Sequence, residues 1–190
     1  MKNNGIKNGK YKRDLKTKYG EIKGLNGVEM VISDGNKGIR EAVKQSFPGA
    51  SWQYCHVHFM RNLRKLMGKQ QWKDISLLIK QALDNPEILP VLQEKLIDKG
   101  LAQCSTMFDR YYDSLYNYRS FNTNIQGLRR LRVSNTIERL NAEIKRRTKK
   151  IGAFPSDDSA MRLAGSIMID INEEYVTGRK YINMEEINRQ

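Results

Sequence analysis

The apolar positions of this chain keep two different periods, and the change from one to the other outlines the fold. The run VEMVIS, residues 28–33, is short and β-branched and ends in the turn signal DGNKG. It predicts a buried strand that delivers Asp34 at its carboxyl end. Beyond it Ile39, Ala42, Val43 and Phe47 recur at helical spacing until Pro48-Gly49 stops the pattern. SWQYC, residues 51–55, predicts a second strand. FMRNLRKLM predicts a second helix with Phe59, Leu63, Leu66 and Met67 on one face. The order strand–helix–strand–helix implies a parallel pair with a crossover connection. Loops at the carboxyl ends of such strands are the usual place for a site, and Asp34 sits there.

From about Gln71 to Leu128 the period is helical throughout. Ile75, Leu78, Ile79 and Leu83 form one stripe, Ile88, Leu92 and Leu96 another beyond Pro86, and Ala102 to Tyr118 a third segment rich in tyrosine. Such stripes predict core packing. Two further helices are expected over roughly Thr136–Lys149 and Asp157–Tyr175, separated by IGAFPS with its helix-breaking Pro155. The fold expected is therefore α/β but mainly helical: two parallel strands with a helical insertion at about 71–128. Residues 1–27 carry eight basic and two acidic residues, five glycines and no apolar face. They read as a basic arm or linker, open to phosphate contact or simply solvated.

Charge adds a partner class to this picture. The chain has 34 Lys+Arg against 21 Asp+Glu, a formal net charge of +13. That excess favours a polyanion, most commonly nucleic acid. Two cysteines, Cys55 and Cys104, provide no disulfide framework and point to a reducing, cytoplasmic setting. No apolar run reaches membrane-spanning length, and no apolar segment follows the basic N-terminus, so neither a membrane partner nor a secretory signal is expected.

Three places could carry chemistry. Asp34 is either an Asx-turn residue opening the next helix or a metal-binding carboxylate at a strand end. In CHVH, Cys55 and His58 have a spacing used by zinc ligands, but a closed structural site needs four, and only His56 and Cys104 remain. Zinc is not expected on this count; Cys55 as a small buried residue and His58 as an early helix residue is the simpler account. Residues 129–150 hold nine Lys or Arg and two Glu, a local net of +7, with Ile137, Leu140 and Ile144 as a narrow apolar stripe. A solvated helix face normally mixes signs at i,i+4, and this one largely does not. Arg139, Lys145, Arg146, Arg147, Lys149 and Lys150 are thus candidate phosphate contacts. Glu138 follows Asn135 by three residues, the spacing of a capping box with Asn135 as N-cap. The acid at the mouth of this basic helix is thus a cap or a metal ligand.

The segments VISDGNKGIREAV, SFPGASWQYCHVHFMRNL, SNTIERLNAEIKRRTKKIGAFPS and GRKYINM together resemble the Mutator-type transposases of prokaryotic insertion sequences. The resemblance runs from about Val28 to Met184, leaving 185–190 as a tail. It implies a partial RNase H-like catalytic domain over 28–184. Three metal-binding carboxylates, Asp, Asp and Glu, carry the chemistry in that family, with a helical insertion before the Glu. Asp34 in ISDGNKG matches the second Asp, and Glu138 in NTIERLN matches the Glu. Cys55 and His58 match the family's C-x-x-H motif beside Trp52-Gln53. The implied activity is DNA transposition on double-stranded DNA with two Mg²⁺ ions, with self-association or association with a full-length transposase. The first Asp would lie on a strand well upstream of the second. Here only 33 residues precede Asp34, and Asp14 sits in the charged arm. The expectation is a chain shortened by internal deletion, which binds DNA and has lost most or all chemistry. The alternative is a non-enzymatic DNA-binding protein or an inhibitor of a full-length transposase.

Overall fold

A computed structural model describes residues 27–122, 125–178 and 188–189. The basic arm up to residue 26, Asp14, and most of the GRKYINM motif lie outside the described residues. Strands β1 (Met30–Ser33) and β2 (Ser51–Tyr54) pair in parallel, in register from Met30 with Ser51 to Ser33 with Tyr54. Helix α1 (Lys37–Ser46) makes the crossover between them. This is the order and pairing the apolar pattern predicts, but β1 is half-buried rather than buried, because β2 is its one strand neighbour among the described residues. Asn36 caps α1 by accepting from the Gly38 N–H, and the turn after Phe47 passes through Gly49 at φ 88°. The α1 stripe is narrower than expected. Val43 is buried, whereas Ile39 and Ala42 stay exposed among the described residues.

The helical segment supplies the core. Helices α2 (His56–Lys65), α3 (Lys69–Asp84), α4 (Leu89–Asp98) and α5 (Ala102–Tyr116) enclose Phe59, Leu63, Ile75, Ile79, Leu92, Leu96, Phe108 and Leu115, all essentially without solvent exposure. Pro86 opens the single 3₁₀ turn that joins α3 to α4. The tyrosines of the third segment close the package with polar ends. Tyr116 Oη donates to the Ala82 carbonyl at 2.8 Å, and Tyr118 Oη to that of Leu83 at 3.2 Å. These are the C-terminal carbonyls of α3, which have no partner within their own helix.

Sheet and insertion are joined by buried amides. Gln53, fully buried on β2, donates through Nε2 to the Leu115 carbonyl (3.0 Å) and accepts the Tyr118 N–H (2.9 Å). Asn117 Nδ2 donates to the Trp52 carbonyl at 2.9 Å. The chain then forms β3 (Phe121–Asn122), α6 (Ile125–Leu131), α7 (Asn135–Ile151) and α8 (Asp157–Thr177). Within the expected tail, β4 (Asn188–Arg189) pairs antiparallel with β3. Among the described residues the sheets are these two pairs, so the architecture is mainly helical with a small parallel sheet. Among the described residues, no helix is long and apolar enough to cross a membrane.

Candidate functional site

The site assembles at the carboxyl end of the parallel pair, around Cys55. Its N–H donates to the Ser33 carbonyl at 2.8 Å, extending the ladder by one rung past Tyr54. This places Asp34 beside Cys55 as the two chains leave adjacent strands, about 4.8 Å apart in such a sheet. Asp34 Oδ1 accepts the Asn36 N–H at 3.1 Å, so the Asx turn is present. The next residue must be small: Gly35 lies so close to the Tyr54 hydroxyl and ring that a Cβ there has no room. The Tyr54 hydroxyl is itself held by Asn62 Nδ2 at 2.8 Å.

Cys55 is fully buried and is the N-cap residue of α2. Its Sγ faces the start of α7, where the Ser134 N–H lies at 3.4 Å and Ser134 Oγ at 3.3 Å. The same hydroxyl lies 3.1 Å from Glu138 Oε1. With one proton, Ser134 donates to the carboxylate or to the sulfur, not to both. A further bond ties the segment before α7 to the sheet: the His56 N–H donates to the Arg132 carbonyl at 2.9 Å. The Arg132 guanidinium pairs in turn with Asp84 at the end of α3.

The capping-box expectation is corrected here. Ser134, not Asn135, is the N-cap residue of α7, so Asn135 is already the first helical residue and Glu138 the fourth. The Ser134 side chain makes no capping bond to the helix backbone, being turned toward Cys55 and Glu138. Glu138 therefore reaches back to a hydroxyl rather than to a backbone N–H. Its carboxylate still benefits from the positive end of the helix.

His58 lies in the first turn of α2 and turns toward the same point. Its Nε2 stands 3.7 Å from Glu138 Oε1, and its buried Nδ1 has no hydrogen-bond partner among the described residues. The ligand atoms of Cys55, His58 and Glu138 all lie within 4.8 Å of one another. Asp34 is not one of that group. Counting cysteines and histidines could not find this cluster, because Glu138 is 80 positions from His58 and is brought in by Ser134. His56 belongs to the packing instead. Its Nε2 donates to the Leu115 carbonyl at 2.8 Å, and burial lowers its pKa to about 4, so it is neutral.

The basic helix α7 has no buried residue and packs against α8. Of its expected apolar stripe, Leu140 and Ile144 are half-buried and Ile137 is exposed. Arg139, Lys145, Lys149 and Lys150 are exposed. Arg146 and Arg147 differ from expectation. Glu143 accepts from both, at 2.6 and 2.8 Å from Arg146 and 2.9 Å from Arg147, and Arg147 also meets Asp170 of α8 at 3.4 Å. These hydrogen bonds hold the Glu143 carboxyl down at about 2. The signs on this face do mix, through one glutamate at i−3 and i−4 that serves two arginines.

Residues 21–178 match the family model described as Transposase, Mutator family. The chain is 36% identical over 178 residues to the transposase for insertion sequence element IS256 in transposon Tn4001 of Staphylococcus aureus. That match covers 88% of this chain and 44% of the relative. It is 31% identical over 173 residues to the transposase for insertion sequence element IS1081 of Mycobacterium tuberculosis, covering 88% and 41%. The transposase for insertion sequence element ISRM5 of Rhizobium meliloti is 30% identical over 172 residues, covering 87% and 42%. The chain thus spans less than half the length of these relatives. Its parallel pair, its insertion and its basic helix all fall within the matched residues, and the chain belongs to the Mutator family of transposases.

Proposed function

We propose that this chain serves DNA transposition as the second-Asp-to-Glu part of an Asp-Asp-Glu transposase with an RNase H-like core. The observation that carries this reading is the junction at Cys55. It sets Asp34, by backbone, and Glu138, through Ser134, at one end of one parallel sheet, with a cationic helix leading away. The residues fit Mg²⁺: two carboxylates are hard oxygen donors, one held by an Asx turn and one by a serine hydroxyl. When bound, Mg²⁺ would polarise the scissile phosphate and ionise the attacking hydroxyl. Asp34 and Glu138 are the residues of this chain that would hold it. Arg139, Lys145, Lys149 and Lys150 stand ready for the phosphates of double-stranded DNA, while Arg146 and Arg147 are shared with Glu143.

In this reading the first Asp of the triad is supplied by sequence other than these 190 residues. The chain by itself binds cytoplasmic, nucleoid DNA and catalyses little or no strand transfer. Such a chain would also act as a DNA-binding protein or as an inhibitor, by pairing with a full-length transposase. The test compares the chain alone with the same chain joined to the upstream part of a relative such as the IS256 transposase. The joined protein is expected to cleave transposon-end DNA in Mg²⁺, and the chain alone to bind that DNA without cutting it. Robust Mg²⁺-dependent cleavage by the 190-residue chain, abolished by Asp34→Ala, would refute the missing-carboxylate reading.

A further inference from the structure

Besides the Mg²⁺ role proposed above with Asp34, Glu138 has a second set of neighbours. Cys55 Sγ, a His58 ring nitrogen and a Glu138 carboxylate oxygen converge within 4.8 Å. We propose that these three side chains form a binding site for one thiophilic divalent cation, Zn²⁺ being the natural occupant.

Four observations support the site. The donor set is sulfur, imidazole nitrogen and carboxylate oxygen, which suits Zn²⁺ and suits Mg²⁺ poorly. The distances are close to those a metal needs. Ligand atoms in a tetrahedral zinc shell are roughly 3.4 Å apart, given bonds of ~2.1 Å. His58 Nε2 and Glu138 Oε1 are already 3.7 Å apart. The Glu138 side chain is 43% exposed, so it has freedom to close the remaining gap.

The third observation is that the imidazole is uncommitted. Its Nδ1 is buried without a partner among the described residues, and its Nε2 is too far from Glu138 for a hydrogen bond. Neither ring nitrogen is thus held by a hydrogen bond among the described residues, and the ring is free to offer one to a cation. The fourth is that the sulfur is prepared. Cys55 stands at the N-terminus of α2, with the Ser134 N–H directed at Sγ from 3.4 Å. Donors of this kind orient a ligating sulfur. Cys104 takes no part in this cluster: it is buried in the apolar core.

Three protein ligands leave a fourth position open, as in zinc sites that take water or a substrate oxygen. Because Glu138 belongs to both sets, a cation held here withdraws it from the Mg²⁺ site and inhibits strand transfer. That consequence rests on the function proposed above, whereas the site itself does not.

The test uses the 190-residue chain, stripped of metal and free of DNA, so that its outcome is independent of the transposition reading. Titration with Co²⁺ is expected to saturate at one ion per chain, with a thiolate-to-metal charge-transfer band in the near ultraviolet and visible bands of tetrahedral intensity. One equivalent of Zn²⁺ should bleach both. Cys55→Ala should remove the charge-transfer band. His58→Gln should keep the band but weaken Zn²⁺ binding by more than the ~100-fold that loss of an outer-shell partner can cost. Asp34→Ala and Cys104→Ala should change neither. If Cys55→Ala fails to fold by far-ultraviolet circular dichroism, the variants at less buried positions, His58→Gln and Glu138→Gln, decide the matter. A Co²⁺ spectrum without a thiolate band, or Zn²⁺ affinity unchanged in His58→Gln and Glu138→Gln, would overturn the proposal.

Discussion

Helices α3 to α5 of the insertion and the α7–α8 hairpin contain similar amounts of helix but are built differently. In α3, α4 and α5 most of the apolar stripe residues are driven fully inside, and tyrosine hydroxyls satisfy the carbonyls at the end of α3. In α7 no side chain is buried, and in the 21 residues of α8 only Ile167 is. The hairpin instead exposes Ile137, Ile151, Met161, Met168, Ile169 and Val176 beside its cations. On the function proposed above, stability and function are therefore separated in this chain. The insertion holds the fold together and anchors the sheet through Gln53 and Asn117, while the hairpin presents Glu138 and the basic face.

The largest effect that can break this comparison is a core deletion. Phe108→Ala should cost about 3–5 kcal/mol in urea unfolding, and Ile169→Ala on α8 should stay within about 0.5 kcal/mol. Equal costs would show that the hairpin is packed as tightly as the insertion. A pH dependence comes next, confined to the junction of sheet and insertion. Burial of His56 lowers its pKa from 6.5 to about 4 in the folded chain. Between those values the unfolded state binds the extra proton, so stability rises with pH and is lost as pH falls from about 6.5 toward 4. The loss should amount to about 3 kcal/mol at most. Measured in chelator, His56→Gln should flatten that stretch of the profile; an unaltered slope would remove His56 as its cause.

Much of this organisation was legible in the residues. The stripe Ile75, Leu78, Ile79, Leu83 and the run VEMVIS are openly apolar, because each lies on a regular element that turns at least partly inward. Two things were not legible, for a physical reason they share. Glu138 carries the spacing of a capping box, yet the helix starts one residue earlier because Ser134 is drawn to Cys55, a contact across 79 positions. Gln53 looks like any polar strand residue, and only the arrival of Leu115 and Tyr118 makes its burial tolerable. Long-range polar contacts leave no local period to read.

Smaller effects sharpen the junction and the hairpin. Ser134→Ala removes the hydroxyl between Cys55 and Glu138 and should cost about 1 kcal/mol of metal-free stability. No change would mean that the hydroxyl is satisfied as well by water. On the basic face, Lys149→Gln and Lys150→Gln should each flatten the dependence of log K for DNA on log salt by about 0.9. Arg146→Gln and Arg147→Gln should do less, since Glu143 already engages both. Glu143→Gln should steepen the slope by freeing them. Arginine substitutions that flatten the slope as much as the lysine ones would show that Glu143 gives them up on binding.

The account rests most heavily on Glu138 as a metal-binding carboxylate rather than a structural acid, and one substitution separates the two. Gln keeps the length of the side chain and an oxygen able to accept from Ser134, but it is a poor ligand for Mg²⁺. Glu138→Gln in the 190-residue chain should leave metal-free stability within about 0.5 kcal/mol. In the protein joined to a relative's upstream part, Glu138→Gln should abolish Mg²⁺-dependent cleavage of transposon-end DNA as fully as Glu138→Ala does. Cleavage that survives Glu138→Gln and is lost only with Glu138→Ala would contradict the account and leave Glu138 as a support for the helix start.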